Sequence, residues 1–359
     1  MWPDRRIIEL FAIEYPILLA PMAGPGTAEL AIAVSEAGGL GAFPCALSTP
    51  DQIRTALGVI RQRTAKPVNL NFFTHTPPVP DAAREARWKG RLGAYYTEFG
   101  IDRSKPVPAS DRAPFSEATC EIVEAFRPEV ASFHFGLPEP RLLDRVRAVG
   151  CKIIASATSA KEARWLADRG CDAIIAQGYE AGGHRGMFLT DNVASQTGTF
   201  ALVPQVADAV KVPVIAAGGI SDARGIAAAF ALGASAVQIG TAYLFCPEAK
   251  VPELHRKALQ TAQDDETAVT NVFTGRPARG IINRAMRELG PLSPDAPTFP
   301  LAGGALAPLK AAAEARGTAD FTSLWSGQAA ALGREMAAGK LTETLALEAL
   351  ACLKSLANS

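Results

Sequence analysis

Short apolar runs alternate along the chain with segments of small residues in which apolar positions recur at helical spacing. Ile17 to Ala20 leads into Thr27 to Ala37, and Val214 to Ala217 leads into Asp222 to Leu232, a strand and then a helix in each case. Two of the returns are nearly superimposable. Asp168-Arg169-Gly170-Cys171-Asp172-Ala173 runs into Ile174 to Gly178 as Leu232-Gly233-Ala234-Ser235-Ala236 runs into Val237 to Gly240. In both, a glycine stands where a helix ends in the left-handed conformation, and a buried parallel strand follows. The pattern predicts eight strands, at 17–20, 40–43, 68–72, 130–135, 152–155, 172–176, 213–217 and 236–239. Eight β/α repeats predict a closed (β/α)8 TIM barrel of the α/β class. An open doubly wound sheet is the alternative, but no G-x-G-x-x-G follows the first strand and no GxxxxGK[ST] occurs.

The rhythm stops after Tyr243. With 359 residues, the chain exceeds a minimal barrel of about 250 residues. We therefore expect a barrel over 1–245, a smaller appended subdomain contributing to the substrate site over 246–320, and C-terminal helices packing on the barrel over 321–359. Residues 74–116, rich in proline and charge, form an overlong connection after the third strand, of the kind that becomes a lid. Lysine plus arginine and aspartate plus glutamate balance at 36 each, so no nucleic-acid footprint and no basic membrane-binding face is signalled. The apolar stretches are broken by Glu29, Glu36, Asp222 and Arg224, and no export segment opens the chain, which leaves the cytoplasm as the expected location. The 6 cysteines form no CxxC pair and the 4 histidines no HExxH, so no metal site is expected. Cys45 follows a strand, where a buried thiol usually serves as a small hydrophobe.

Chemistry concentrates at the strand ends. After the sixth strand, Gln177-Gly178-Tyr179-Glu180-Ala181-Gly182-Gly183-His184-Arg185-Gly186 places an imidazole in a glycine-rich loop against which a ligand can press. Ala216-Ala217-Gly218-Gly219-Ile220-Ser221-Asp222 ends the seventh strand and Gln238-Ile239-Gly240-Thr241 the eighth, the places where barrels commonly bind phosphate on backbone N–H groups and a helix N-terminus. Asn69 and Asn71, two apart on the third strand, share the interior face. They either meet the polar edge of a flat ring or form a water-satisfied polar layer. His134 alternates with Phe133 and Phe135 and points to the same mouth, while Met22 in Ala20-Pro21-Met22-Ala23-Gly24 either packs on a ring or fills core. Arg276 and Arg279 in Phe273 to Gly280 are expected to pair with an anion or with the barrel's own acids.

Together, Ala20 to Gly24, the Gln177 to Gly186 loop, Ala217 to Ile220, Gln238 to Thr241 and Phe273 to Asn283 resemble the nitronate monooxygenases, formerly 2-nitropropane dioxygenases, over nearly the whole chain. The Glu180 to His184 core is shared with flavin-dependent enoyl-ACP reductases and NAD(P)H:quinone reductases. Phe133-His134-Phe135-Gly136 and Thr274 to Asn283 look more like the class I nitronate enzymes. The resemblance implies FMN, with Met22, Asn69 or Asn71, Gln177, Gly182, Gly218, Gly219, Gln238, Ile239, Gly240 and Thr241 around it, His184 as the catalytic residue and His134 either at the substrate or supporting a residue that is. It implies oxidation of an alkyl nitronate of the propionate 3-nitronate kind with O2, by one-electron transfer to the flavin, releasing nitrite and a carbonyl product. Its alternative is an NAD(P)H-dependent reductase of quinones or enoyl thioesters. The implied partners are small molecules, and a homo-oligomer remains open.

Overall fold

The computed structural model describes residues 1–108 and 112–358; Ser359 and residues 109–111 of the long third connection lie outside the described residues. Its strands are β1 (Ile17–Leu19), β2 (Gly41–Pro44), β3 (Val68–Phe73), β4 (Val130–His134), β5 (Lys152–Ala157), β6 (Ala173–Gln177), β7 (Gly183–His184), β8 (Val214–Ala217), β9 (Ala236–Ile239), β10 (Thr267–Thr270) and β11 (Ala278–Ile281). Eight of them form a parallel sheet in the order β1-β9-β8-β6-β5-β4-β3-β2. The seam closes at Leu40, whose carbonyl accepts from Leu19 N–H at 2.9 Å and whose N–H donates to Ile17 O at 3.0 Å. The eight expected strands are these eight, displaced by a residue or two at their ends.

The barrel interior is graded from apolar to polar. At its N-terminal end Val130, Ile154, Ala173, Ile215 and Ala236 pack together, and Ile7 and Phe11 of the helix Arg6–Phe11 plug the floor. One or two pleats towards the C-terminal end, the barrel strands present Asn71, Ser132, His134, Ser156, Gln177 and Gln238. Period-two alternation sends Phe133, Ile153, Ile174, Val237 and Ile239 outward into the layer between strands and helices. Apolar floor and polar rim together put the functional face at the C-terminal ends of the strands.

The helix that covers the β9–β1 seam comes late. Ala338–Asn358, at the end of the chain, packs against the helices Ala28–Glu36 and Ala223–Ala231, and Tyr243 Oη lies 2.7 Å from its Thr342 Oγ1. Between β9 and this helix the chain builds β10, β11 and the helices Glu253–Thr261, Arg284–Leu289 and Ala302–Ala315. The long connection after β3 joins them. Trp88, Leu92 and Tyr96 share a core with Phe273, Met286, Leu306, Leu309 and Phe321. Trp88 Nε1 donates to Ala302 O at 3.0 Å and Tyr96 Oη to Ala305 O at 2.6 Å. β10 and β11 pair antiparallel, and β11 continues onto β7, with Ala278 opposite His184 and Arg279 opposite Gly183. The loop carrying His184 is thereby the edge of a small sheet built by the appended segment. No sequence pattern announced this sheet.

Candidate active site

A cavity opens at the C-terminal end of the barrel, with about 1360 Å³ of space counted out to its open side. Met22, Asn71, His134, Gln177, Gly182, His184, Gly218, Gly219, Gln238, Gly240 and Thr241 all line it. Two expected residues do not. Ile239 turns its side chain outward among the helices, and Asn69 lies one pleat below the cavity, sealed in the barrel with Oδ1 unpartnered. Asn71 is therefore the asparagine of the site, its Nδ2 donating to Ser132 Oγ at 2.9 Å.

The Gln177–Gly186 loop is held mainly by its own residues. Gln177 accepts from Gly186 N–H at 2.7 Å and donates from Nε2 to His184 O at 2.9 Å. Glu180 accepts from Thr199 N–H at 2.8 Å, placing its carboxylate at the N-terminus of the helix Thr199–Ala209. Arg185 is fully buried and donates to Gly178 O at 2.6 Å and Gln177 O at 2.8 Å. Gly182 is demanded by packing, since a Cβ there would stand 2.5 Å from Gly327 N. Gly182 therefore serves close packing as well as lining the cavity.

His184 is anchored at both ends of the residue. Its carbonyl accepts from Gln177 Nε2 and, at 3.1 Å, from His134 Nε2; its ring Nε2 lies 3.0 Å from Thr274 Oγ1. Nδ1 has no partner among the described residues. Phe73, Phe299 and Trp325 surround the ring, with centroids at 5.9, 5.3 and 5.5 Å. His134 lines the same cavity and turns both ring nitrogens to protein partners. Its Nε2 faces a carbonyl, so that nitrogen carries the proton and Nδ1 accepts from Ser156 Oγ at 3.0 Å. With both nitrogens engaged, His134 positions His184. Phe135 leaves the strand alternation at φ 78° and packs on Phe73 and Phe299 over the mouth.

The histidines are neutral. Desolvation, followed by repulsion from the Arg112 and Arg276 charges, holds His184 well below its ordinary value. Burial lowers His134 to about 3 and His75 and His255 to about 4. Arg112 lines the cavity, whereas Arg276 stacks over Phe135 at 3.9 Å and donates to Met187 O. Arg279 donates to Tyr179 O at 3.0 Å. Both arginines of that segment bind backbone carbonyls, not the acids or anion expected for them. Cys45 is buried with its thiol pushed far up, which excludes a thiolate nucleophile.

Beside the Gln177–Gly186 loop Gly218 and Gly219 adopt φ of 111° and 69°, conformations that side chains rarely take. The helix N-terminus beyond them is already capped, because Asp222 accepts from Arg224 N–H at 3.0 Å and Gly225 N–H at 3.2 Å. An anion there meets loop amides, and the expected helix-dipole contribution is largely taken by Asp222. Gln238 Oε1 is sealed from solvent with no partner. Among the described residues no cluster of histidine, cysteine or acidic side chains could hold a metal ion.

The pattern defining the nitronate monooxygenases matches residues 4–348. The chain belongs to that family. It is 42% identical over 347 residues to a nitronate monooxygenase of Pseudomonas aeruginosa, covering 96% of this chain and 98% of the relative. A nitronate monooxygenase of Paraburkholderia phytofirmans is 41% identical, covering 96% and 94%. Among solved structures, the nitroalkane oxidase of Streptomyces ansochromogenes superposes with a TM-score of 0.88 at 36% identity, covering 98% and 99%. A mutant FabK from Thermotoga maritima gives 0.74 at 30% identity, covering 98% of each. As a nitronate monooxygenase family member the protein is an oxidoreductase. No helix among its described residues is long and apolar enough to cross a membrane.

Sequence reasoning missed several residues of this family member's cavity. Trp325, His255, Ser156, Phe73 and Arg112 line it, and Thr274 holds His184 from behind. Ser156 was accessible in principle, because period-two alternation along β5 places it on the rim. His255 and Trp325 stand in no motif and reach the cavity through tertiary packing alone.

Proposed function

We propose that the protein oxidises alkyl nitronates of the propionate 3-nitronate kind, with O2 as co-substrate and FMN as cofactor, yielding nitrite and a carbonyl product. The observation that carries this reading is His184, a neutral imidazole fixed at its carbonyl and at Nε2, with Nδ1 unpartnered in a ring-walled cavity. The residues fit the cofactor. The sealed Gln238 Oε1 needs a donor, which an N–H edge of the isoalloxazine offers, and Asn71 and Met22 stand on the same wall. The loops Gly218-Gly219 and Gly240-Thr241 would take the phosphate on backbone N–H groups. When bound, FMN supplies the one-electron redox chemistry.

The protein's own part is electrostatic and protonic. Arg112 lines the cavity, and burial keeps His184 uncharged until an anion arrives. An anionic nitronate beside the ring favours the imidazolium, so His184 takes up a proton on binding and holds the nitronate oxygen. For a neutral nitroalkane, Nδ1 accepts the α-proton instead. The aromatic wall of Phe73 and Trp325 excludes water from the reacting carbon.

The resemblance of the Glu180 to His184 core to flavin-dependent enoyl-ACP reductases and NAD(P)H:quinone reductases supports a second reading, reduction of an enoyl thioester or quinone with NAD(P)H. Anaerobic mixing separates the two. Bleaching of the purified protein's visible spectrum by propionate 3-nitronate, with a slow response to NADPH, supports nitronate oxidation; reduction by NADPH alone refutes it.

A further inference from the structure

Three histidines line the cavity, and one of them, His255, has no part in the scheme above. It stands on the helix Glu253–Thr261 and is 5% exposed. Its Nε2 lies 3.1 Å from Trp325 O. A carbonyl only accepts, so Nε2 bears the hydrogen. The neutral ring, with its pKa lowered to about 4 by burial, has no second proton, and Nδ1 is a bare acceptor. No donor among the described residues serves it.

Several other polar groups of the wall are committed within the protein. Ser156 donates to His134, Thr241 Oγ1 accepts from Gly327 N–H, and both ends of the Gln177 amide are engaged. Besides His184 Nδ1 and Asn71 Oδ1, two acceptors are left for ligands among the described residues, Gln238 Oε1 and His255 Nδ1. The first is assigned above to the cofactor. The second belongs with the substrate, because Trp325 joins the two imidazoles: its carbonyl fixes His255 and its ring stacks against His184.

We propose that His255 is a specificity-determining residue, accepting a hydrogen bond at Nδ1 from a hydroxyl or amino group on the substrate carbon chain, away from its nitro group. The inference rests on the nitronate reading. A methyl group placed there leaves the acceptor desolvated and unpaired, which is the costly case. The preferred substrates are therefore nitronates carrying a neutral donor.

The test compares two near-isosteric compounds on the flavin-loaded enzyme, the nitronates of 3-nitropropan-1-ol and 1-nitrobutane. We expect kcat/KM to favour the hydroxylated compound by about tenfold or more. His255→Phe should abolish the preference at unchanged flavin content, and His255→Asn, which keeps an acceptor, should restore part of it. Equal kcat/KM in the unaltered enzyme overturns the proposal, as does loss of flavin in both variants, which would make His255 a cofactor contact. Calorimetric binding of the parent nitro compounds separates this from the parent reading. Absent turnover with preferred binding of the alcohol defeats nitronate oxidation but supports the subsite; equal affinities defeat the subsite.

Discussion

Replacing Gln177 with methionine separates two roles for a residue at the cofactor wall. Resemblance makes Gln177 a flavin contact, whereas the structure spends both ends of its amide on the His184 loop, at 2.7 Å to Gly186 N and 2.9 Å to His184 O. Methionine keeps the volume of this 7%-exposed side chain and removes both bonds. Each costs about 1 kcal/mol net, and stranding Gly186 N–H adds about 1–3 kcal/mol. His184 O retains His134 Nε2 as a donor and loses less. A destabilisation of about 3–4 kcal/mol follows, which over a chain of this length is roughly a 4–5 °C fall in Tm. The assay is a thermal melt, flavin content from the visible spectrum, and kcat/KM on a nitronate. We expect a lower Tm, retained flavin and a kcat/KM reduced through misplacement of His184. Unchanged Tm with colourless protein would refute the clamp and restore the cofactor role.

His184→Ala should retain flavin yet lose nitronate turnover by about a hundredfold or more, as for removal of an acid–base group; full activity in the variant would contradict the proposed role. Gly219→Val should yield colourless protein, because φ of 69° is strained for valine and its Cβ would press on Glu180 Cβ at 3.3 Å; a normally loaded variant would dismiss the phosphate site. Acid should destabilise the fold from about pH 6.5 downward: the histidine values are depressed in the folded state, so only the unfolded chain takes up these protons until about pH 4 for His75 and His255. Each of those two contributes up to about 1.4 kcal/mol per pH unit over that window, and a urea midpoint that does not change between pH 7 and pH 5 would show them to be protonated in the fold.

The barrel was legible because parallel strands covered on both faces are nearly continuous apolar runs, and Ile153, Ile174 and Val237 stand in such runs. Site location was legible for the same reason, since period-two alternation fixes which side chains face inward. Depth and bonding were not. Asn69 and Asn71 share a face, and only the position of the cavity floor separates them. The pattern placed His134 at the mouth, yet the partners of its two nitrogens come from β5 and β7, and those decide its role. β7 is invisible to any periodicity, because a two-residue strand exists only through its pairing with β11. The insertion between β9 and its covering helix hid that helix's membership in the barrel.

The positioning of His184 explains why the appended segment and the barrel must come together for chemistry. β6 supplies Gln177, β4 supplies His134, and both hold the carbonyl of His184. The ring is held from the other side by Thr274, between β10 and β11. Neither body alone fixes both the backbone and the imidazole. Burial that keeps the ring uncharged also comes from both, with Phe73 from the barrel and Phe299 and Trp325 from the segment. A barrel stripped of residues 246–333 would keep its floor and its glycine loops, but its histidine would be solvated, would titrate near its ordinary value, and would have no fixed ring plane. In this family member the glycine loops are thus a property of the barrel, and the fixed position and burial of His184 are a property of the junction.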